Sequence, residues 1–200
     1  MMHPFFEEIQ KYPELASEVN FELTKLPEPY VGKRKIKAIL LGADPTNDGT
    51  KEEKGLIRFD TVFGINSKYE DDFFGPQKRN LESLGISKDN LFIQNVCRNY
   101  FTEQTSKNKN WNQVAELWIK YLKAGLKEFH KLPILVTAEK VMRAITHNSY
   151  KADDLYTYSE RFLPIWSENL RGEVYPLYRN HTYQLSIHPE YTKFLKKILS

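Results

Sequence analysis

Three short, almost uninterrupted apolar runs constrain this chain most: IKAILLG (36–42), NLFIQNV (90–96) and LPILVTA (132–138). Each is too short for an ordinary helix and reads as a strand covered on both faces. The segments between them have helical character. DDFFGPQKRNLESLGI (71–86) suits a helix with Pro76 in its first turn. WNQVAELWIKYLKAGLKEF (111–129) places Val114, Leu117, Trp118, Tyr121, Leu122 and Leu126 on one face. AEKVMRAIT (138–146) is helix-like, EVYPLY (173–178) is a weaker fourth strand, and EYTKFLKKIL (190–199) is a closing helix. Strands alternating with helices predict an α/β fold: a three-layer α/β/α sandwich around a short, mainly parallel four-stranded sheet.

Ahead of the first run, residues 3–24 predict one or two short helices broken near Pro13, and KLPEPYVGKRK (25–35) reads as a linker with a basic end. The expected division is an N-terminal extension over 1–35 and an α/β domain over 36–200. Residues 148–170 are aromatic and irregular, as in a lid or a long surface excursion.

A chain of 200 residues with 40% hydrophobic content can bury a sizeable core, and its length predicts one domain, expected as a monomer. The net charge of +3 permits contact with nucleic acid without demanding it. Aromatic residues make up 14% of the chain, so stacking surfaces are easy to find and weak as evidence. The single cysteine, Cys97, excludes an internal disulfide framework and any cysteine cluster for zinc or iron–sulfur. The N-terminus lacks the pattern of a secretory signal, and no stretch nears the ~20 apolar residues of a membrane span. A cytoplasmic protein without a membrane segment is the expectation.

Ligands of open α/β sheets bind beyond the carboxyl ends of the strands. The first strand runs into GADPTND with Asp44, the second ends on Asn95, the third runs into TAEK, and the fourth into YRNHTYQLSIHPEY with His181 and His188. Together they suggest one polar pocket. Each also has a structural reading. Asp44-Pro45 is ordinary turn chemistry, Asn95 suits a cap, and His188-Pro189 suits the start of a helix.

In this order the motifs resemble those of the uracil-DNA glycosylase superfamily, over about residues 36–199. GADP (42–45) is similar to the family's Gly-x-Asp-Pro turn. TVFG offers Phe63 as the Phe that stacks on the base, with Phe59 of GLIRF as a competitor. LFIQN supplies Asn95, a Trp-led helix follows, and HPEY supplies His188, with His181 of RNHTY as its rival. The resemblance implies a monofunctional DNA glycosylase that hydrolyses the N-glycosidic bond of uracil or a related damaged base in single- or double-stranded DNA, with no metal or cofactor. Asp44 would steady the sugar cation and orient water. His188 and the backbone N–H groups of the Ala43–Asp44 turn would hold the departing base. Asn95 would select the base through its paired donor and acceptor, and Phe63 would stack on it.

Two positions depart from the family pattern. Thr46 stands where the uracil enzymes carry a Tyr that excludes the thymine methyl, and Glu190 replaces the Ser of a His-Pro-Ser motif. Thr46, Asn47, Tyr191 and Lys193 are the expected DNA contacts, and Tyr191 or Phe194 is the expected wedge into the duplex. Lys33, Arg34, Lys35, Lys37, Lys196 and Lys197 are available for phosphates or for solvent. Trp111 and Trp118 read as core. An alternative is a catalytically altered module that binds nucleic acid or a nucleobase on the same fold. A metal-dependent hydrolase using Asp44, Asp48 and His188 lacks a spaced ligand motif.

Overall fold

The computed structural model describes residues 2–147 and 150–200. Among the described residues, six strands form one mixed sheet: β1 (Tyr30–Val31), β2 (Ala38–Gly42), β3 (Leu91–Asn95), β4 (Ile134–Val136), β5 (Ile165–Ser167) and β6 (Gly172–Pro176), in the order β1-β3-β2-β4-β6-β5. The inner four strands, β3, β2, β4 and β6, are parallel, and β1 and β5 add antiparallel edges.

The expected four-stranded sheet is therefore corrected to six mixed strands. The two additions are two and three residues long, too short to carry a periodic signal. β1 follows Pro27 and Pro29, residues suited to an edge because Pro cannot donate to a ladder. The inner strands behave as their apolar runs predict: every residue of β2, β3 and β4 is buried.

Among the described residues, eight α-helices accompany the sheet: α1 (Pro4–Ile9), α2 (Pro13–Ala16), α3 (Glu70–Leu84), α4 (Trp111–Gly125), α5 (Glu139–Thr146), α6 (Ala152–Thr157), α7 (Ser159–Phe162) and α8 (Pro189–Ile198). One group joins α4 to α1 and α5; another joins α8 to α3, α6 and α7. α3 begins one residue before its expected start, and Pro76 lies inside it, not in its first turn. Glu70, Asp71 and Asp72 crowd that first turn, where acidic groups complement the helix dipole, and Gly85 ends the helix in the left-handed conformation at φ +73°.

Within the expected extension over 1–35, the described residues 2–35 contribute side chains to the core of the sheet. Phe5, Phe6 and Ile9 are completely buried, and Phe5 stacks on Trp118 with ring centroids 4.3 Å apart. The Glu8 carboxylate accepts from Lys120 and from the Tyr121 hydroxyl on α4. The 148–170 segment folds as α6, α7 and β5, with Asn148 and Ser149 outside the described residues. Leu155 and Tyr156 anchor it in the core, and the Tyr156 hydroxyl accepts from the Tyr178 N–H at 2.8 Å. Among the described residues, no helix is long and apolar enough to cross a membrane.

Candidate active site at the carboxyl edge of the parallel strands

Backbone pairing brings the strand ends together. Gly42 lies opposite Asn95, and the pairing continues past both strands as Val96 N–H donates to Gly42 O and Cys97 N–H to Ala43 O. On the other flank Thr137 N–H donates to Leu41 O, and Arg179 N–H to Thr137 O. The residues after β2, β3, β4 and β6 therefore share one edge.

Asp44 sits at the turn after β2, half-buried, and three donors hold its carboxylate. Thr46 N–H donates to Oδ1 at 3.0 Å; the Thr105 hydroxyl and the Trp111 indole N–H donate to Oδ2 at 2.6 and 2.8 Å. A carboxylate offers about four lone-pair positions. The arrangement leaves Oδ1 capacity for one further partner, such as a water. Desolvation raises the Asp44 pKa above its ordinary value, and the hydrogen bonds from Thr105, Thr46 and Trp111 oppose that rise. Lys140 supports the cage from behind. Its ammonium donates to the Thr105 and Asn108 carbonyls at 2.6 and 3.0 Å and lies 5.2 Å from the Trp111 ring centre. Cys97, also near Asp44, is buried with its thiol pKa pushed far up, so it is not a poised nucleophile.

Asn95 ends β3 at 2% exposure, and its Oδ1 is buried without a hydrogen-bond partner. Unsatisfied buried amides are rare because each costs about 1–3 kcal/mol. The amide lies against Gly42, where a Cβ would collide with both Asn95 Oδ1 and the Phe63 ring. Gly42 is thus required for this approach. Phe63 reaches that spot from a single helical turn (Val62–Gly64) in which its own φ is +56°. A left-handed Phe costs on the order of 1–2 kcal/mol, and such strain gathers at functional sites.

Beyond Phe63 a crevice of about 670 Å³ opens along the ends of β4 and β6, walled by Thr137, Ala138, Tyr178, Arg179, His181 and Tyr183 among others. The Arg179 guanidinium stands 5.8 Å from the Phe63 ring centre. Two buried polar residues of α3 hold this wall. Gln77 donates to Leu177 O at 3.0 Å, and Asn80 donates to Tyr178 O at 3.3 Å while accepting from Leu185 N–H at 3.0 Å.

Asn95 and Phe63 meet at Gly42, and Ala43 and Asp44 follow it at the same sheet edge. Phe59, the competing stacker, instead packs edge-on against Phe73 at 4.8 Å, while its N–H donates to the Tyr100 hydroxyl. His188 is engaged elsewhere: Nε2 lies 2.8 Å from Thr182 O, and its ring packs on Tyr156 at 5.0 Å and Tyr183 at 6.2 Å. His181, not His188, lines the crevice.

Tyr191 is corrected from a DNA contact to a core residue, fully buried with its hydroxyl donating to Pro176 O at 2.7 Å. The pattern of α8 explains this, since Tyr191 and Leu195 share its inward face. Asn47 organises its own loop, donating to Pro45 O and Ile57 O and accepting from Gly49 and Ile57 N–H groups, which uses the whole amide. The Thr46 hydroxyl accepts from Phe101 N–H at 2.8 Å. Lys193 is exposed on α8 in a separate hollow with Arg161, Glu190 and Lys197. Among the described residues, no cluster of three or more His, Cys, Asp or Glu side chains could hold a metal.

Sequence reasoning missed Thr105, the polar role of Trp111, and Arg179. A Trp leading an amphipathic helix just after a polar loop was the available signal for Trp111. Thr105 and Arg179 have no signal short of the tertiary contact. No protein-family model matches this sequence, and no curated protein matches it.

Proposed function

We propose that this chain is a monofunctional DNA glycosylase acting on uracil or a similar damaged base, with its two helix groups as the outer layers of an α/β/α sandwich. The observation that carries the reading is the buried, unpartnered Asn95 Oδ1 beside Phe63, with a caged carboxylate at the same sheet edge.

A nucleobase of the uracil type presents neighbouring carbonyl and N–H groups, the complement of an amide's donor and acceptor. Cytosine presents the opposite pattern at that edge, and leaving Asn95 mismatched in a buried site gives strong discrimination. Phe63 supplies the stacking face. Asn95 and Phe63 now meet over Gly42, so the base enters by moving the ring toward the crevice. The target nucleotide must leave any duplex to reach this depth.

The C1′–N1 bond breaks with its electron pair passing to the base. Asp44 steadies the positive charge that develops on the sugar and aims water at C1′. The water oxygen bonds to C1′, and its proton passes to Asp44 and on to solvent. The base anion takes a proton from solvent, leaving free base and an abasic sugar. Thr105, Trp111 and Thr46 N–H keep the carboxylate directed and favour its charged form.

The test is base release from single- and double-stranded oligonucleotides carrying one uracil, with intact protein as the enzyme. Release by wild type that is lost in Asp44→Asn supports the reading. No release from uracil or from a panel of damaged bases rejects it and leaves a binding module on the same fold.

A further inference from the structure

We infer that the Arg179 guanidinium stabilises the negative charge of the departing base, an inference that rests on the glycosylase reading above and assigns its leaving-group site. Arg179 follows β6 after Leu177 and Tyr178, and its N–H is fixed to Thr137 O at 3.0 Å, so its stem starts at the sheet edge that carries Asn95 and Asp44. Its head is 5.8 Å from the centre of the Phe63 ring, on which the base would stack.

No carboxylate pairs with Arg179 among the described residues; Glu139, in the same crevice, is paired with Arg143. The residue is open to solvent along the crevice, while protein atoms around its head desolvate it and lower its pKa. An arginine remains cationic throughout the neutral range regardless. A uracil-type anion delocalises its charge over N1, the adjacent O2 and the remote O4. The planar fork of a guanidinium matches two such acceptors at once. His188, which the motif order suggests for this role, is held by Thr182 O and two tyrosine rings.

The test compares wild type with Arg179→Gln and Arg179→Lys, each checked for native circular dichroism, on oligonucleotides carrying uracil or 5-fluorouracil. Fluorine makes the departing ring a more stable anion, so that substrate depends less on an external cation. The expected result is a loss of about 100-fold on uracil in Arg179→Gln, a clearly smaller loss on 5-fluorouracil, and unchanged affinity for an abasic-site oligonucleotide. Equal losses on both substrates with weaker oligonucleotide binding would assign Arg179 to a backbone phosphate and overturn the inference.

If wild type releases neither base, the glycosylase reading fails and equilibrium binding decides the inference separately. 5-Nitrouracil is already an anion at neutral pH, whereas uracil is neutral. A wild-type preference for 5-nitrouracil that disappears in Arg179→Gln sustains the anion site. No such preference overturns it.

Discussion

Two turns of this molecule look alike in sequence and differ in structure. Asp44-Pro45 and His188-Pro189 each place a polar, chemistry-capable residue before a proline, downstream of a strand. At the first, every protein donor converges on the side chain from outside its own turn or from the adjacent backbone, and one acceptor position stays open. At the second, the ring is engaged by the Thr182 carbonyl and by Tyr156 and Tyr183, and Pro189 starts α8. The first turn aims a carboxylate; the second secures a helix start. What separates them is where each side chain's hydrogen-bonding capacity goes, which the local motif does not specify.

The largest expected effect is at Asp44. Asp44→Asn should lower single-turnover base release from a uracil oligonucleotide by about 1,000-fold while leaving circular dichroism unchanged. Retained activity would break the comparison. In wild type the rate should rise with pH, with a midpoint above the ordinary Asp value of 3.8, because only the ionised form acts and burial resists ionisation. The stability consequence has the opposite sign. A carboxyl with a raised folded pKa holds its proton more tightly when folded, so its contribution is present below the unfolded pKa and is lost as pH rises through the folded one. Melting curves of Asp44→Asn should lack that part of the acid-range slope.

Trp111→Phe sharpens the comparison by keeping the buried ring and deleting one donor. Base release should fall roughly ten-fold, with the rate–pH midpoint moving further up, since the indole N–H favours the charged carboxylate. Chemical denaturation should show a loss of about 1.5–3 kcal/mol at neutral pH for a hydrogen bond to a charged group.

At the second turn, His188→Ala should change base release by less than a few-fold and lower stability by about 1 kcal/mol in urea titrations. A loss of activity by orders of magnitude would return the catalytic role to His188. Tyr191→Phe has the smallest expected effect. It should cost about 1 kcal/mol through the lost bond to Pro176 O and leave oligonucleotide affinity unchanged in an anisotropy titration.

The parallel heart of the sheet was legible because β2, β3 and β4 are buried on both faces and show it as unbroken apolar runs. α4 was legible through the spacing of Val114, Trp118 and Leu122. The edges were not, since two- and three-residue strands have no period to read. Nor was the place of α1: Phe5 and Phe6 look the same in sequence whether they pack on a neighbouring helix or on the sheet's own core. Within the site, Asp44, Asn95 and Phe63 could be chosen because each ends or follows an element whose type is read locally.

Local sequence thus determined which elements form and which polar residues stand at their ends, because burial on both faces and helical spacing are properties of consecutive residues. Tertiary structure alone decided that Trp111 and Thr105 serve Asp44, that Asn80 and Gln77 pin the wall bearing Arg179, and that His188 is a helix-start residue. Those partners lie up to about a hundred residues apart in the chain, and a hydrogen bond depends on position and direction in space, which sequence proximity does not encode.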